Sequence, residues 1–396
     1  MLQAVTSFWE GTYVQAAAQP FIEMRRRLHR IPEAGFKEFK TQRLLLDYLA
    51  MLPQTGMQIR TWHTGILVHI DGTNPKKRIG YRADMDGLPI EEETSLPFRS
   101  LHPGYMHACG HDMHMAIALG VLARLLEWPV DDDVVFLFQP SEEGPSGARL
   151  MAKSSEFAEW KPDLLVALHI APEHPVGTIA VKPGALFAGV AELAIQLAGT
   201  GGHAAFPHAA NDMVIAASHL AAQLHTIVSR NVDPLDAAVL TIGRIESGTR
   251  QNIIADQARL EGTIRAFDSE TMRCVQERVN TLVRGIETGF ACKAEVDYVG
   301  AVCPALINDE VLTRQFMDWA RHVDGVRLAE CRPAMTGEDY AYFLQEVPGF
   351  MFWLGVDSPH GLHHARLDPQ EEAIGVAIRL VSEYIAWQSA NAAHHE

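Results

Sequence analysis

Hydrophobic residues along this chain fall into short unbroken runs and longer periodic stripes, and the two patterns predict different elements. Val134-Val135-Phe136-Leu137-Phe138 and Leu164–Leu168 are continuous apolar runs, the signature of strands buried on both faces. Gly65–Ile70, Arg78–Arg82 and Gly349–Gly355 are further strands, the second running into Ala83-Asp84-Met85-Asp86-Gly87. Helical periodicity marks Ile22 to Arg30, ended by Pro32, and a second helix with Thr41 as its N-cap and Leu44, Leu45, Tyr48 and Leu49 as its apolar stripe. It also marks Met115 to about Trp128, Val311–His322 and Pro369–Trp387. The middle of the chain reads differently. Gly189–Leu197 alternates, Asn211–Val228 is a long amphipathic helix, Ala238–Glu246 and Arg259–Phe267 are strands, and Glu270–Gly289 is a helix. Strand–helix–strand–strand–helix on one sheet predicts a small α+β insert at about 185–296. It interrupts a larger α/β domain made of 1–184 and 297–396.

Length supports that division, because 396 residues exceed what one hydrophobic core usually holds. Apolar residues at 47% and charged residues at 21% are the balance of an ordinary globular protein. The formal charge of -16 argues against nucleic acid and anionic membranes as partners. Five scattered cysteines do not form a disulfide framework and fit a reducing compartment. The opening Met-Leu-Gln-Ala-Val-Thr-Ser-Phe-Trp-Glu lacks the basic and apolar regions of a signal peptide, and no run nears the roughly 18 apolar residues of a membrane span. The expectation is a cytoplasmic protein.

Polar residues of one kind gather where the predicted strands end, the place where open α/β sheets bind ligands. Cys109 and His111 lie two apart in a glycine-containing loop ahead of a helix, with His107, Asp112 and His114 beside them. A thiolate and imidazoles this close can ligate a divalent metal. Alternatively, Cys109 could be a nucleophile beside His111. Glu142-Glu143 follows the Val134–Phe138 strand; one carboxylate could hold a metal and the other take a proton from water, or both could be solvated turn residues. His169 ends the Leu164–Leu168 strand, as a ligand or as a satisfied core histidine, and His363-His364 near the C-terminus offers another ligand or is a simple surface pair. Asp84 and Asp86 could orient ligand histidines or cap a turn. His203, in the glycine-rich loop Gly199–His203 of the insert, could donate to an oxyanion or simply face solvent.

These stretches resemble the metallo-aminoacylase and carboxypeptidase amidohydrolases, in the branch of hippurate hydrolase and auxin-conjugate hydrolases. The matching motifs are Arg25-Arg26-Arg27-Leu28-His29-Arg30-Ile31-Pro32-Glu33, Tyr81–Pro89, Met106–Asp112, Gln139–Gly144, Gly201–Ala205, Thr336-Gly337-Glu338-Asp339 and Gly361–His364, in that order over essentially the whole chain. The residues before about Phe21 have no counterpart, and Ser141 stands where many relatives carry Ala. The resemblance implies a zinc-peptidase-like catalytic domain with a mixed, largely parallel sheet flanked by helices, and a smaller α+β sandwich lid that mediates dimerisation. It implies two divalent metal ions (Zn, Mn, Co or Ni) held by Cys109, His111, Glu143, His169 and His363. Glu142 would be the general base and His203 an oxyanion donor. Asp86 would sit behind the metals with Asp84 close by, and Asn252 and Arg265 would meet a substrate carboxylate. Within the branch the similarity is greatest to the bacterial N-acetyldiaminopimelate deacetylase group. It implies hydrolysis of N-acetyl-L,L-diaminopimelate to acetate and L,L-diaminopimelate, on the route to lysine. The alternative is a broader N-acyl-L-amino acid amidohydrolase.

Overall fold

The computed structural model describes residues 11–298 and 303–391. They divide into two compact units, Met1–Gly184 with Ile307–Arg332 and Tyr342–Glu396, and Ala185–Leu306 with Pro333–Ala341. The smaller unit thus takes in two pieces that the sequence pattern left in the larger domain. Backbone pairing carries them there: the Val190 amide donates to the Cys303 carbonyl at 2.8 Å, and the Ala188 amide to the Thr336 carbonyl at 3.1 Å.

The larger unit is built on an eight-stranded mixed sheet. Its order is Met57–Trp62, Gly65–Ile70, Asp133–Gln139, Arg78–Asp84, Leu164–Ala171, Gly349–Gly355, Thr178–Val181, Arg327–Glu330. The four strands from Asp133–Gln139 to Gly349–Gly355 are mutually parallel, so their C-terminal ends share one edge. Those strands are buried along nearly their whole length; three carry unbroken apolar runs, and Arg78–Asp84 instead buries Arg82 and Asp84 as an ion pair. Helices Gly11–His29, His111–Glu127 and Glu372–Ala390 pack against one another and share the sheet's core. His111–Glu127 is buried on nearly every side, which explains its weak amphipathicity. Helix Glu310–Ala320 packs through Phe316, whose ring lies 4.8 Å from Phe350, 5.2 Å from Phe352 and 5.0 Å from Tyr384.

The smaller unit is a four-stranded antiparallel sheet ordered Ala238–Ser247, Gln257–Ala266, Gly189–Ala198, Lys293–Asp297. Ala191, Leu193, Ile195 and Leu197 point to a core shared with Leu220 and Leu224 of helix Met213–Leu224 and with Val275, Val279 and Val283 of helix Ser269–Gly289. Several helix starts differ from expectation: the first helix begins at Gly11 rather than Ile22, and the site helix at His111 rather than Met115. Thr41 is not an N-cap: Phe39–Leu49 begins before it, and the Glu33 carboxylate accepts the Lys40 and Thr41 amides at 2.9 Å each. The predicted Asn211–Val228 helix is two, Met213–Leu224 and Thr226–Asn231, and the first starts where the Asp212 carboxylate accepts the Val214 and Ile215 amides. No helix among the described residues is long and apolar enough to cross a membrane.

Candidate metal centre

Local backbone geometry brings the ligand-type side chains of the larger unit to the sheet's C-terminal edge. Gly110 has φ +80°, and a Cβ there would lie 2.3 Å from Ile170 Cδ1. Only glycine satisfies both constraints, and it turns the chain so that His111 opens the helix. His363 has φ +60°, and its amide donates to the Ala108 carbonyl at 2.8 Å, pinning the C-terminal loop beside Cys109.

The donor atoms converge. Cys109 Sγ lies 3.3 Å from His169 Nε2, and His363 Nε2 lies 3.0 Å from Glu143 Oε1. Donors of Cys109, His111 and His169 fall within 4.8 Å of one another, as do those of Cys109, Glu143 and His363, and those of His111, Glu142 and Glu143. The two buried histidines are oriented by backbone. His111 Nδ1 lies 2.9 Å from the Asp86 carbonyl, and His169 Nδ1 lies 2.9 Å from the Ile170 carbonyl. A carbonyl can only accept, so each Nδ1 is the donor, and each ring turns its Nε2 toward the other donors, where a cation would take the place of a proton. His111 Nε2 is buried and has no hydrogen-bond partner among the described residues. A buried ring nitrogen without a partner, in a ring of soft and carboxylate donors, is what a divalent cation would satisfy.

Electrostatics agree. Burial alone would lower the His111 pKa, but the Asp84 and Asp86 carboxylates outweigh it and hold it up at about 10. Burial pushes the Cys109 thiol well up, reinforced by Glu143 and Glu142. Negative charge is therefore in excess around the thiol, a condition a bound cation relieves. The same surroundings argue against the nucleophile alternative, since burial and the Glu143, Glu142 and Asp84 carboxylates together disfavour the thiolate that attack requires. Burial, with His114 nearby, drops His169 to about 3. For Glu143, burial pulls upward but His363 and His111 prevail and lower it.

Asp84 and Asp86 stand behind the donors with distinct contacts. Asp84 pairs with Arg82 at 2.8 Å and with His114 Nδ1 at 2.7 Å, and lies 3.7 Å from His111 Nε2. Asp86 accepts the amides of Glu142 and Glu143, both at 3.0 Å, with its two carboxylate oxygens. His114 was only one of a crowd in the sequence. Its Nε2 accepts the Ile170 amide at 3.1 Å, so it links Asp84 to the His169 strand. Asp112 faces away from the donors, 2.8 Å from both Arg25 Nε and His29 Nδ1 of the first helix.

The remaining expected residues lie in the smaller unit. His203 is exposed on a two-stranded ribbon opposite Ile253, and the Ala204 amide donates to the Asn252 carbonyl at 3.1 Å, so His203 and Asn252 share that ribbon. Arg265 lies on Gln257–Ala266 and donates from Nη1 to the Met335 carbonyl at 2.8 Å.

The chain is similar to several known proteins. The chain is 62% identical over 370 residues to the N-acetyldiaminopimelate deacetylase of Brevibacillus brevis, covering 93% of this chain and 98% of that one. Its fold is similar to a putative aminohydrolase from methicillin-resistant Staphylococcus aureus, with TM-score 0.89, 29% identity and coverage of 94% and 97%. It is also similar to a dinuclear metal-binding peptidase from the M20 family of Bacillus subtilis, with TM-score 0.83, 31% identity and coverage of 95% and 99%. The description Peptidase family M20/M25/M40 matches residues 80–387, a span that holds every donor of the cluster. The chain belongs to peptidase family M20/M25/M40.

Proposed function

We propose that this chain removes the acetyl group of N-acetyl-L,L-diaminopimelate, releasing acetate and L,L-diaminopimelate. The observation that carries the proposal is the identity to relatives named N-acetyldiaminopimelate deacetylase, at 62%, 60% and 57% over at least 93% of the chain. The buried donor cluster supplies the chemistry that such an amide hydrolysis needs.

In this proposal Cys109, His111, Glu143, His169 and His363 would hold two divalent cations of the Zn, Mn, Co or Ni class. When bound, these would supply Lewis acidity to the scissile carbonyl and to water. Glu142 is the general base. Its carboxylate takes a proton from the attacking water; the water oxygen joins the acetyl carbon, the C–N bond breaks, and the proton passes to the departing amine nitrogen. Asp86 fixes Glu142 and Glu143 through their amides, so both carboxylates leave the backbone from a preset position. His203 donates to the developing oxyanion, and Asn252 and Arg265 meet a substrate carboxylate. The smaller unit serves as lid and as the interface of a homodimer, which light scattering on the purified protein checks.

A substrate panel tests the reading. N-acetyl-L,L-diaminopimelate should exceed N-benzoylglycine and simple N-acetyl amino acids in kcat/KM by at least about tenfold, roughly 1.4 kcal/mol of discrimination. Equal rates across the panel would replace the proposal with a broad N-acyl-L-amino acid amidohydrolase.

A further inference from the structure

Three consecutive amides at the end of strand Asp133–Gln139 are each held by a carboxylate. Asp86 takes those of Glu142 and Glu143, and the third, of Ser141, donates to Glu38 Oε1 at 2.8 Å. Glu38 is fully buried, and its other oxygen accepts the Thr64 hydroxyl. Nothing in the proposed reaction uses it.

Backbone strain gathers around this carboxylate. Ser141 has φ +58°, His63, next to Thr64, has φ +49°, and Phe36, two residues before Glu38, has φ +58°. Non-glycine residues adopt that conformation only where their surroundings hold them there. Here the surroundings are tight. The Phe36 and His63 rings meet with centroids 5.6 Å apart. A Cβ on Gly35 would lie 2.4 Å from Ser141 Oγ, so that strand of chain presses directly on the turn. The Ser141 carbonyl in turn accepts the Gly147 amide at 2.8 Å. Three separate segments therefore meet at one buried side chain, and the chain leaves that point directly into Glu142.

We infer that Glu38 is a positioning residue for Glu142. It holds the left-handed Ser141 through its amide and so sets the direction in which Glu142 leaves the turn, while Asp86 separately holds the Glu143 amide. This rests on the assignment of Glu142 as the base. Removing the brace should let the turn relax toward ordinary backbone and displace Glu142 from its proton, with little effect on substrate binding. Displacements of this kind cost 10- to 100-fold in rate.

The test uses full-length, metal-loaded protein, with kcat, KM and bound metal measured for each variant. Glu38→Leu should lower kcat about 10- to 100-fold, with KM and metal content within twofold of the parent. Glu38→Gln keeps the shape, an acceptor for the Ser141 amide and a donor for Thr64, and should restore kcat to within about threefold. Folded Glu38→Leu protein with parental kcat overturns the inference. So does a Glu38→Gln variant as impaired as Glu38→Leu, which would assign the effect to charge rather than position. If Glu38→Leu does not fold, Thr64→Val decides: a several-fold loss of kcat at constant KM supports the brace, and unchanged kcat overturns it. A double-mutant cycle separates this idea from the reading beneath it. On the residual rate of Glu142→Ala, adding Glu38→Leu should cost less than twofold. A further tenfold loss there would show that Glu38 acts elsewhere. Full activity of Glu142→Ala alone would instead remove the base assignment.

Discussion

Asp86 does two jobs that the sequence could not separate. Its carbonyl orients His111 and its carboxylate clamps the amides of Glu142 and Glu143. The two glutamates are therefore fixed by backbone, and their difference in role must lie in where each side chain goes. Both share a donor cluster with His111, but Glu143 also meets His363 at 3.0 Å and shares a cluster with Cys109. Glu142→Ala should lower kcat by about 10²- to 10⁴-fold while bound metal, measured by elemental analysis, stays at the parental level. Metal lost in parallel would move Glu142 into the ligand set. Cys109→Ala should do the reverse and lower metal occupancy first; unchanged metal content would revive the thiol as a nucleophile. At this scale the residue types were legible, because a thiol, imidazoles and carboxylates at strand ends have few structural uses. The partners of Asp84, His114 and Glu38 were not, since the contacts joining Asp84 to His114, His114 to Ile170 and Glu38 to Ser141 span 30, 56 and 103 positions, which no spacing encodes.

Among the elements, the parallel strands with unbroken apolar runs were the plainest, since burial on both faces favours apolar residues; Arg78–Asp84 departs from that because its buried Arg82 and Asp84 pair with each other. Met57–Trp62 was missed because it is an edge strand with a mixed exposure pattern. The start of Phe39–Leu49 was misplaced because its amides are satisfied by Glu33, outside the helix, rather than by a residue at its first turn. Helix His111–Glu127 depends on a different device, the left-handed Gly110 wedged against Ile170. Gly110→Ala should therefore cost at least about 1–2 kcal/mol of stability from backbone conformation alone, before the steric conflict with Ile170. A thermal melt checks this, and a variant as stable as the parent would mean the loop can turn another way. In the smaller unit, Asp212→Ala removes a cap that accepts two amides and should cost about 1 kcal/mol, read from the same melt.

Across the larger unit, a buried ionic chain ties the first helix to the site helix. Arg25 and His29 both meet Asp112, His29 also lies 3.4 Å from Glu92, and Arg25 reaches Glu371 at 3.1 Å. Burial would raise the Glu92 pKa, but His29, the Ser100 amide and the Thr94 hydroxyl outweigh it and bring it to about 2. A carboxyl held below its unfolded value stabilises the fold above that value and loses the contribution as pH falls through its folded one. The stability gap between the parent and Glu92→Gln should thus be widest from pH 5 to 7 and close between about 4.5 and 2; denaturant titrations at stepped pH would measure it, and a gap independent of pH would rule the ion pair out as its cause. Removal of divalent metal should lower the melting temperature and abolish turnover, and adding Zn, Mn or Co should restore both, because cations that bind only the folded donor cluster stabilise it by mass action. The sequence by itself determined the sheet's central strands, the inserted smaller unit and the residue types of the site, because burial demands apolar runs and metal chemistry demands few side chains. Only the tertiary structure decided which groups Asp84 and Asp86 contact, that His114 and Glu38 join them, and where the units divide. Those outcomes depend on backbone carbonyls, amides and left-handed turns meeting across distant segments, and hydrogen bonds of that kind leave no pattern along the chain.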